Sequence, residues 1–198
     1  MSRVEEAKAA LRRELRARLR AMPAEVLAAE AGRMMARLVG RPEWHAARRV
    51  MLFAPMPEEP DLWPLADRVL REGRLLALPR FDATRGEYHA ADVTDLARDV
   101  IGGSFGIREP GPSCPVRPLN ELDFVLVPGL GFDARGGRLG RGKGYYDRLL
   151  SSVQGTACGV AMDWQVRPAI PVEPRDRSVD CILTPSRWLV TARRTGDS

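Results

Sequence analysis

Five short apolar runs, each bounded by proline or glycine, restrict this chain more than any other feature. They are VMLFA at 50–54, LLAL at 75–78, FVLV at 124–127, GVAM at 159–162 and CIL at 181–183. Each is too short for a helix and lacks the alternation of a strand with one wet face, so all five read as strands buried on both sides. Helical patterns precede and separate them. Ser2-Arg-Val-Glu5 has the form of a capping box, opening a helix that runs to about Ala21. Leu11, Leu15 and Leu19 form one stripe of that helix, and Lys8, Arg12, Arg16 and Arg20 form a second. Pro23 suits the first turn of another helix, which uses Val26, Leu27, Met34 and Leu38 and stops at Gly40 and Pro42. Residues 62–72 are helical in pattern and closed by Gly73. Such alternation predicts an α/β fold, a single three-layer α/β/α domain with a mostly parallel central sheet. With 198 residues and no repeat, linker or low-complexity tract, one domain over 1–198 is expected, its core at about 3–190 and a short tail at 191–198.

In sheets of this kind ligands bind beyond the carboxyl ends of the strands, and the loops there are rich in chemistry. PMPEEPD follows Ala54 and contains Glu58, Glu59 and Asp61; PRFD follows Leu78; DWQVRPAIPVEPRD follows Met162. The loop after Val127 holds seven glycines, at 129, 131, 136, 137, 140, 142 and 144, beside Arg138, Arg141 and Lys143. Glycine lets the backbone approach a ligand closely, and successive N–H groups then form a nest for phosphate oxygens. The loop runs into 145–150, a helix start whose dipole favours anions. Gly137 through Lys143 fits the first seven positions of the phosphate-cradling pattern GxxxxGK[ST], but Gly144 stands where a hydroxyl should hold Mg²⁺. Mg²⁺ prefers carboxylate oxygens together with phosphates, which makes Asp147 and Asp176 the candidate ligands.

A net charge of +5, from 31 Lys+Arg against 26 Asp+Glu, suits an anionic partner. Acidic residues are interspersed, aromatics make up only 6%, and no RNA- or DNA-binding motif is present, so nucleic acid is not the expected partner. Cys114, Cys158 and Cys181 are odd in number and lack CxxC spacing, which indicates neither a disulfide framework nor a zinc site. No apolar stretch reaches membrane-spanning length. Glu5, Glu6 and Glu14 argue against a transit peptide, so the expected compartment is the cytosol. His45 and His89 fall outside every motif, and no histidine general base is expected.

DFVLVPGLGFDARGGRLGRGKGYYDRLL, at 123–150, stands among KAALR, FAPMPEEPD, LPRFD, FGIREP, GVAMDWQ and IPVEPRDRSVDCILT, in that order from Lys8 to Thr184. This series resembles the 5-formyltetrahydrofolate cyclo-ligases, also called 5,10-methenyltetrahydrofolate synthetases. The resemblance implies a Rossmann-like three-layer fold, related to that of sugar-phosphate isomerases, deaminases and CoA-transferases. It implies ATP-dependent closure of 5-formyltetrahydrofolate to 5,10-methenyltetrahydrofolate, with ATP as co-substrate and Mg²⁺ as cofactor. In that chemistry the formyl oxygen is phosphorylated, N10 attacks the activated carbon, and phosphate leaves. Arg141, Lys143 and Tyr145 match catalytic positions. Lys8 and Arg12 match a basic pair that reaches ATP, and Arg138, Leu139, Gly140, Arg141, Gly142, Lys143, Gly144, Tyr145 and Tyr146 match the nucleotide loop. Ala54, Met56, Glu59 and Trp164 match the folate pocket, which Arg141, Gly142, Lys143, Gly144 and Tyr145 also border. Asp147 and Asp176 match the metal-associated acids.

The implied partners are ATP and a folate with one or several glutamates, handled by a cytoplasmic monomer that engages neither membrane nor nucleic acid. Arg175 stands where the family commonly carries His or another polar residue, and Phe53-Ala-Pro where Tyr is frequent nearby. Arg80 and Arg108 suit either an anionic ligand or structural ion pairs. Two other readings compete on the same residues, an ATP-independent sugar-phosphate enzyme and a folate carrier without turnover. Lys8 and Arg12 beside a glycine-rich loop suit a triphosphate better than a monophosphate.

Overall fold

Ser2 opens the first helix as its capping box requires, accepting from the Glu5 N–H while the Glu5 carboxylate accepts from the Ser2 N–H. In the computed structural model, which describes residues 2–103 and 106–192, the helices are α1 (Arg3–Arg20), α2 (Ala24–Val39), α3 (Pro42–Ala46), α4 (Pro64–Arg71), α5 (Leu96–Asp99) and α6 (Tyr145–Leu150). The strands of the first half are β1 (Arg49–Met51), β2 (Leu75–Asp82), β3 (Glu87–Val93), β4 (Val100–Gly102), β5 (Arg108–Pro110) and β6 (Val116–Arg117). Those of the second half are β7 (Phe124–Pro128), β8 (Gly131–Asp133), β9 (Arg138–Leu139), β10 (Thr156–Val160), β11 (Val166–Arg167), β12 (Cys181–Leu183) and β13 (Trp188–Val190). Phe105 of the FGIREP block and residues 193–198 of the expected tail lie outside the described residues.

Among the described residues, an eight-stranded sheet has the order β13-β12-β10-β7-β1-β2-β3-β6. Every pairing from β12 across to β2 is parallel, and antiparallel strands flank that centre. The chain lays down β1, then β2 beside it, then returns to the opposite side of β1 for β7. The winding therefore reverses between β1 and β7, and the loops after these two strands part to leave a crevice at their carboxyl ends.

Alternate residues of the buried strands serve opposite layers, as the two-residue period demands. Val50, Leu76, Phe124, Leu126, Cys158 and Leu183 pack under Leu27, Met34 and Leu38 of α2 and Leu65 and Val69 of α4. Met51, Ala77, Val125, Val127, Ala157 and Ile182 pack against Phe132 and against Leu149 and Leu150 of α6. Both faces are covered, which gives the three layers expected. A third cluster joins Leu15 and Leu19 of α1 to Leu130, Leu139 and Ile170, fixing α1 across the glycine-rich loop. A Cβ on Gly131 would stand 2.9 Å from Leu15 Cδ1, so glycine sets how closely that helix can lie.

Some boundaries differ from the sequence reading for physical reasons. The run at 50–54 pairs only through Met51, with one further bond from the Leu52 N–H to the Ala77 carbonyl (3.1 Å), before Pro55 and Pro57 remove the donors a ladder needs. PRFD is not a loop: it continues β2 and pairs with β3. Pro79 is tolerated because the N–H groups of Leu75 and its odd-numbered successors point toward β1, which has already ended there. The run at 159–162 begins pairing earlier, at Thr156, and turns away after Val160.

Gly159 lies beneath the fully buried Phe132 ring, and a Cβ there would meet the ring's Cε1 at 2.5 Å. Gly159→Ala is expected to cost about 2 kcal/mol through overpacking, lowering the melting temperature by roughly 4–8 °C. An unchanged melting temperature would show that the ring can move aside.

Candidate active site

The loop after β1 is held by its own turn. The Glu59 N–H donates to the Met56 carbonyl (2.9 Å), and the Met56 N–H donates back to Glu59 Oε2 (3.0 Å). This leaves Glu59 9% exposed and facing the loop after β7. From that loop Arg141 donates through Nε (3.2 Å) and Nη2 (2.8 Å) to Glu59 Oε1, and through Nη1 (3.0 Å) to Glu58. Burial works against the Arg141 charge, but Glu59 and Glu58 outweigh it and hold the guanidinium pKa above its ordinary value. Burial also opposes the Glu58 charge, yet Glu58's own backbone N–H and Arg141 keep that carboxyl below the usual range.

The glycine-rich stretch is more ordered than a loop reading suggests. β8 and β9 pair antiparallel within it, and the buried Asp133 carboxylate accepts from the N–H groups of Arg135, Gly137 and Ile170. Gly142 and Gly144 take φ of 107° and 67°, conformations that disfavour other residues. The basic stripe of α1 is turned inward except at Arg20, which is exposed. Arg12 Nε donates to the Gly140 carbonyl (3.0 Å) and Arg16 Nη2 to the Arg141 carbonyl (2.8 Å).

Two cavities meet along this stretch. One, of about 250 Å³, is walled mainly by Phe53, Ala54, Met56, Tyr88, Ile107, Tyr145 and Tyr146, with Glu59 and Arg141 among its polar side chains. The other, of about 450 Å³, is polar, and Lys8, Arg12, Arg175, Arg177, Glu173 and Asp176 contribute to it. Arg138, Gly140, Lys143, Gly144 and Asp147 border both. The aromatic cavity is stiffened by ring contacts, with Tyr145 lying 5.2 Å from Phe81 and 5.3 Å from Tyr88 between centroids. Burial, then Glu109 and Tyr145, push the Tyr88 phenol up to about 12. Burial holds Tyr146 well above the ordinary tyrosine range. Both phenols are therefore neutral hydrogen-bonding walls at neutral pH.

The polar cavity is internally ion-paired. Lys8 Nζ lies 2.7 Å from Glu173 and is also paired with Asp176. Arg138 Nη2 lies 2.7 Å from Asp147 Oδ1. The Lys8 hydrogen bond holds the Glu173 carboxyl below its usual range. Among the described residues no three His, Cys, Asp or Glu side chains form a metal cage. Among the described residues, Asp147 and Asp176 nevertheless each accept hydrogen bonds through a single oxygen, and the second oxygen of each could take another ligand. Two such carboxylates beside room for phosphate fit what Mg²⁺ asks of a protein.

Of the residues singled out in the sequence, Ala54, Met56, Glu59, Arg141 and the glycine stretch gather at the aromatic cavity, and Lys8, Arg12, Asp147 and Asp176 at the polar one. Trp164 is placed elsewhere: its ring lies under Arg18, 4.3 Å from the guanidinium carbon, between the helix layer and the α1 cluster. Arg80 donates to the carbonyls of Gly111 and Cys114, and Arg108 stacks over Trp63 at 3.9 Å. Phe53, Tyr88, Ile107 and Glu173 join the site without having been singled out for it. Tyr88 was hidden by the unrecognised strand β3, and Glu173 was visible only as a neighbour of Asp176.

Residues 4–185 match the model of the 5-formyltetrahydrofolate cyclo-ligase family. The chain belongs to this family. Its similarity to curated cyclo-ligases is spread along its length: it is 30% identical over 192 residues to the 5-formyltetrahydrofolate cyclo-ligase of Mus musculus, covering 91% of this chain and 94% of that one. To the cyclo-ligase of Mycolicibacterium smegmatis it is 35% identical over 160 residues, covering 75% and 79%. The NMR structure of Aquifex aeolicus 5,10-methenyltetrahydrofolate synthetase superposes with a TM-score of 0.84 at 33% identity, over 94% of this chain and 93% of that one. Membership of the cyclo-ligase family makes the chain a ligase of folate chemistry. No helix among the described residues is long and apolar enough to cross a membrane.

Proposed function

We propose that the chain closes 5-formyltetrahydrofolate to 5,10-methenyltetrahydrofolate at the expense of ATP, with Mg²⁺, releasing ADP and phosphate. The observation that carries this reading is the meeting of an aromatic cavity and a basic, carboxylate-bearing cavity along one glycine stretch. A folate in the first and a triphosphate in the second would bring the formyl oxygen and the terminal phosphorus together, and proximity is most of what phosphoryl transfer asks of a protein.

Glu59, fixed by the Met56 turn, would accept hydrogen bonds from the amide-like edge of the pterin while Arg141 steadies it. Tyr145, Tyr146 and Met56 would wall the folate and exclude water. Lys8, Arg12 and Lys143 would receive the phosphates, and the backbone from Arg138 to Tyr146 would line their path. Asp147 and Asp176 would hold Mg²⁺, which supplies neutralisation of phosphate charge. Phosphorylation turns an oxygen that leaves poorly into one that leaves well, so N10 can close the ring. The reading extends to a cytoplasmic monomer that accepts folates with one or several glutamates.

The test is absorbance in the methenyl-folate band, using the purified protein with 5-formyltetrahydrofolate and Mg²⁺, with and without ATP. A rise that requires ATP is expected. A folded protein that binds both ligands and gives no rise would overturn the reading.

A further inference from the structure

Lys8 brings its charge to the polar cavity on a side chain only 6% exposed, and a buried ammonium needs acidic partners. One tight turn supplies two of them. Glu173-Pro174-Arg175-Asp176 closes with the Asp176 N–H donating to the Glu173 carbonyl at 3.0 Å, and Pro174 stands where such a turn favours proline. The Glu173 N–H donates to Asp176 Oδ2 at 2.7 Å, so both carboxylates are carried to the same ammonium. Lys8 Nζ donates to Glu173 Oε2 at 2.7 Å and to Asp176 Oδ2 as well. An ammonium has three donors, and the third makes no hydrogen bond among the described residues. Arg175 also reaches Glu173 Oε2, at 3.4 Å, but its side chain is 76% exposed and such a pair is weak. The two acids are not equivalent. Asp176 is a candidate metal acid, whereas the Glu173 carboxylate accepts only from Lys8 and Arg175 among the described residues.

We propose that Glu173 is a positioning residue, which holds the Lys8 ammonium at the polar cavity once Asp176 is engaged by Mg²⁺. The third donor of Lys8 is then left for a phosphate oxygen. The proposal rests on the cyclo-ligase reading and adds to it what keeps Lys8 in place when its second partner is taken. Without Glu173, Lys8 and Mg²⁺ would compete for the single Asp176 carboxylate. The loser would stand as an unpaired charge in a partly buried site, which is costly. The two cations would also repel each other at close range. Glu173 removes that competition, because one carboxylate remains for each cation. In this role it acts through Lys8, not on either substrate.

The test is calorimetric titration of ATP, in EDTA and across a Mg²⁺ series, with wild type, Glu173→Gln, Glu173→Asp, Lys8→Met and the Lys8→Met, Glu173→Gln double variant. Glu173→Gln should raise the Mg²⁺ concentration at which ATP affinity reaches half its maximum by about tenfold. In EDTA its ATP affinity should stay within roughly threefold of wild type, because Asp176 still holds Lys8 and the glutamine oxygen still accepts from it. Glu173→Asp keeps the charge and should recover part of the loss. In the Lys8→Met background, Glu173→Gln should change the Mg²⁺ requirement by less than about twofold, since the partner it acts through is gone. An unchanged Mg²⁺ requirement in Glu173→Gln, or an equal loss of affinity in EDTA, would overturn the proposal. So would the same tenfold rise without Lys8, which would make Glu173 a metal ligand itself. Should Glu173→Gln not fold, the side-chain carboxylate ¹³C resonances of wild type decide. On adding Mg²⁺ to the ATP complex, a shift at Asp176 without one at Glu173 supports the proposal, and any other pattern refutes it. Absence of ATP-dependent ring closure in wild type would instead refute the cyclo-ligase reading, so the two failures are distinct.

Discussion

Asp147→Asn is expected to lower kcat/KM for ATP roughly a thousandfold or more, with the fold intact by circular dichroism. Asp147 has two tasks at once. Its Oδ1 fixes the Arg138 guanidinium at 2.7 Å and accepts from the Arg177 N–H at 3.2 Å. Its other oxygen accepts no hydrogen bond among the described residues, and on the proposed reading it would serve Mg²⁺. An asparagine oxygen can still accept from Arg138, so the local geometry survives, but the charge that would hold Mg²⁺ is gone. The fold should survive because α6 is anchored by Leu149 and Leu150 in the core, not by this side chain. Steady-state kinetics across a magnesium titration make the check. Turnover within tenfold of wild type at ordinary magnesium would remove Asp147 from the metal site.

Glu59→Gln carries the second large effect, and it falls on the other substrate. The 5-formyltetrahydrofolate KM should rise about 10- to 100-fold, which corresponds to losing one charge-assisted hydrogen-bonding group in a buried site. Glu59 uses Oε1 for Arg141 and Oε2 for the Met56 N–H. A glutamine cannot satisfy both sets of donors, because its NH₂ would face one of them. The folate edge then meets a disordered partner in place of a fixed carboxylate. The polar cavity is walled by other side chains, so affinity for ATP should change by less than roughly threefold. Direct binding of each ligand alone separates the two, and equal damage to both affinities would sink the assignment of Glu59 to the folate.

What could be read from the sequence was what local pattern controls. The Ser2–Glu5 box, the stripe of Leu15 and Leu19, and the five buried runs each carry their signal within a few residues, and all appear in the structure. The glycine stretch and the two aspartates stand out in the sequence as candidates because few other residue types suit a crowded phosphate site, and the structure gathers them along the two cavities. The remainder depended on partners distant in sequence. β3 reads as neither helix nor strand until β2 is placed beside it, since Tyr88-His89-Ala90-Ala91-Asp92 has no clean alternation. β9 has two residues and exists only through its pairing with β8. Tyr88 and Ile107 reach the cavity from segments whose position no nearby residue announces. Trp164 shows the converse: its block was recognised, yet its ring is claimed by Arg18 and the α1 cluster. The pairing of Arg141 with Glu58 and Glu59 is equally invisible in the sequence, where Arg141 and Glu59 each read as facing a ligand.

The position of α1 also governs when the site can come into being. Lys8 meets Asp176 across 168 residues, and Arg12 meets Gly140 across 128. Contacts of such range form late, after closure of the loops between them. On the ribosome, α1 emerges first and its leucine stripe must wait for Leu130, Leu139 and Ile170 to be synthesised. The basic wall of the polar cavity is therefore assembled late, because Glu173 and Asp176, which hold Lys8 in place, lie in the final quarter of the chain.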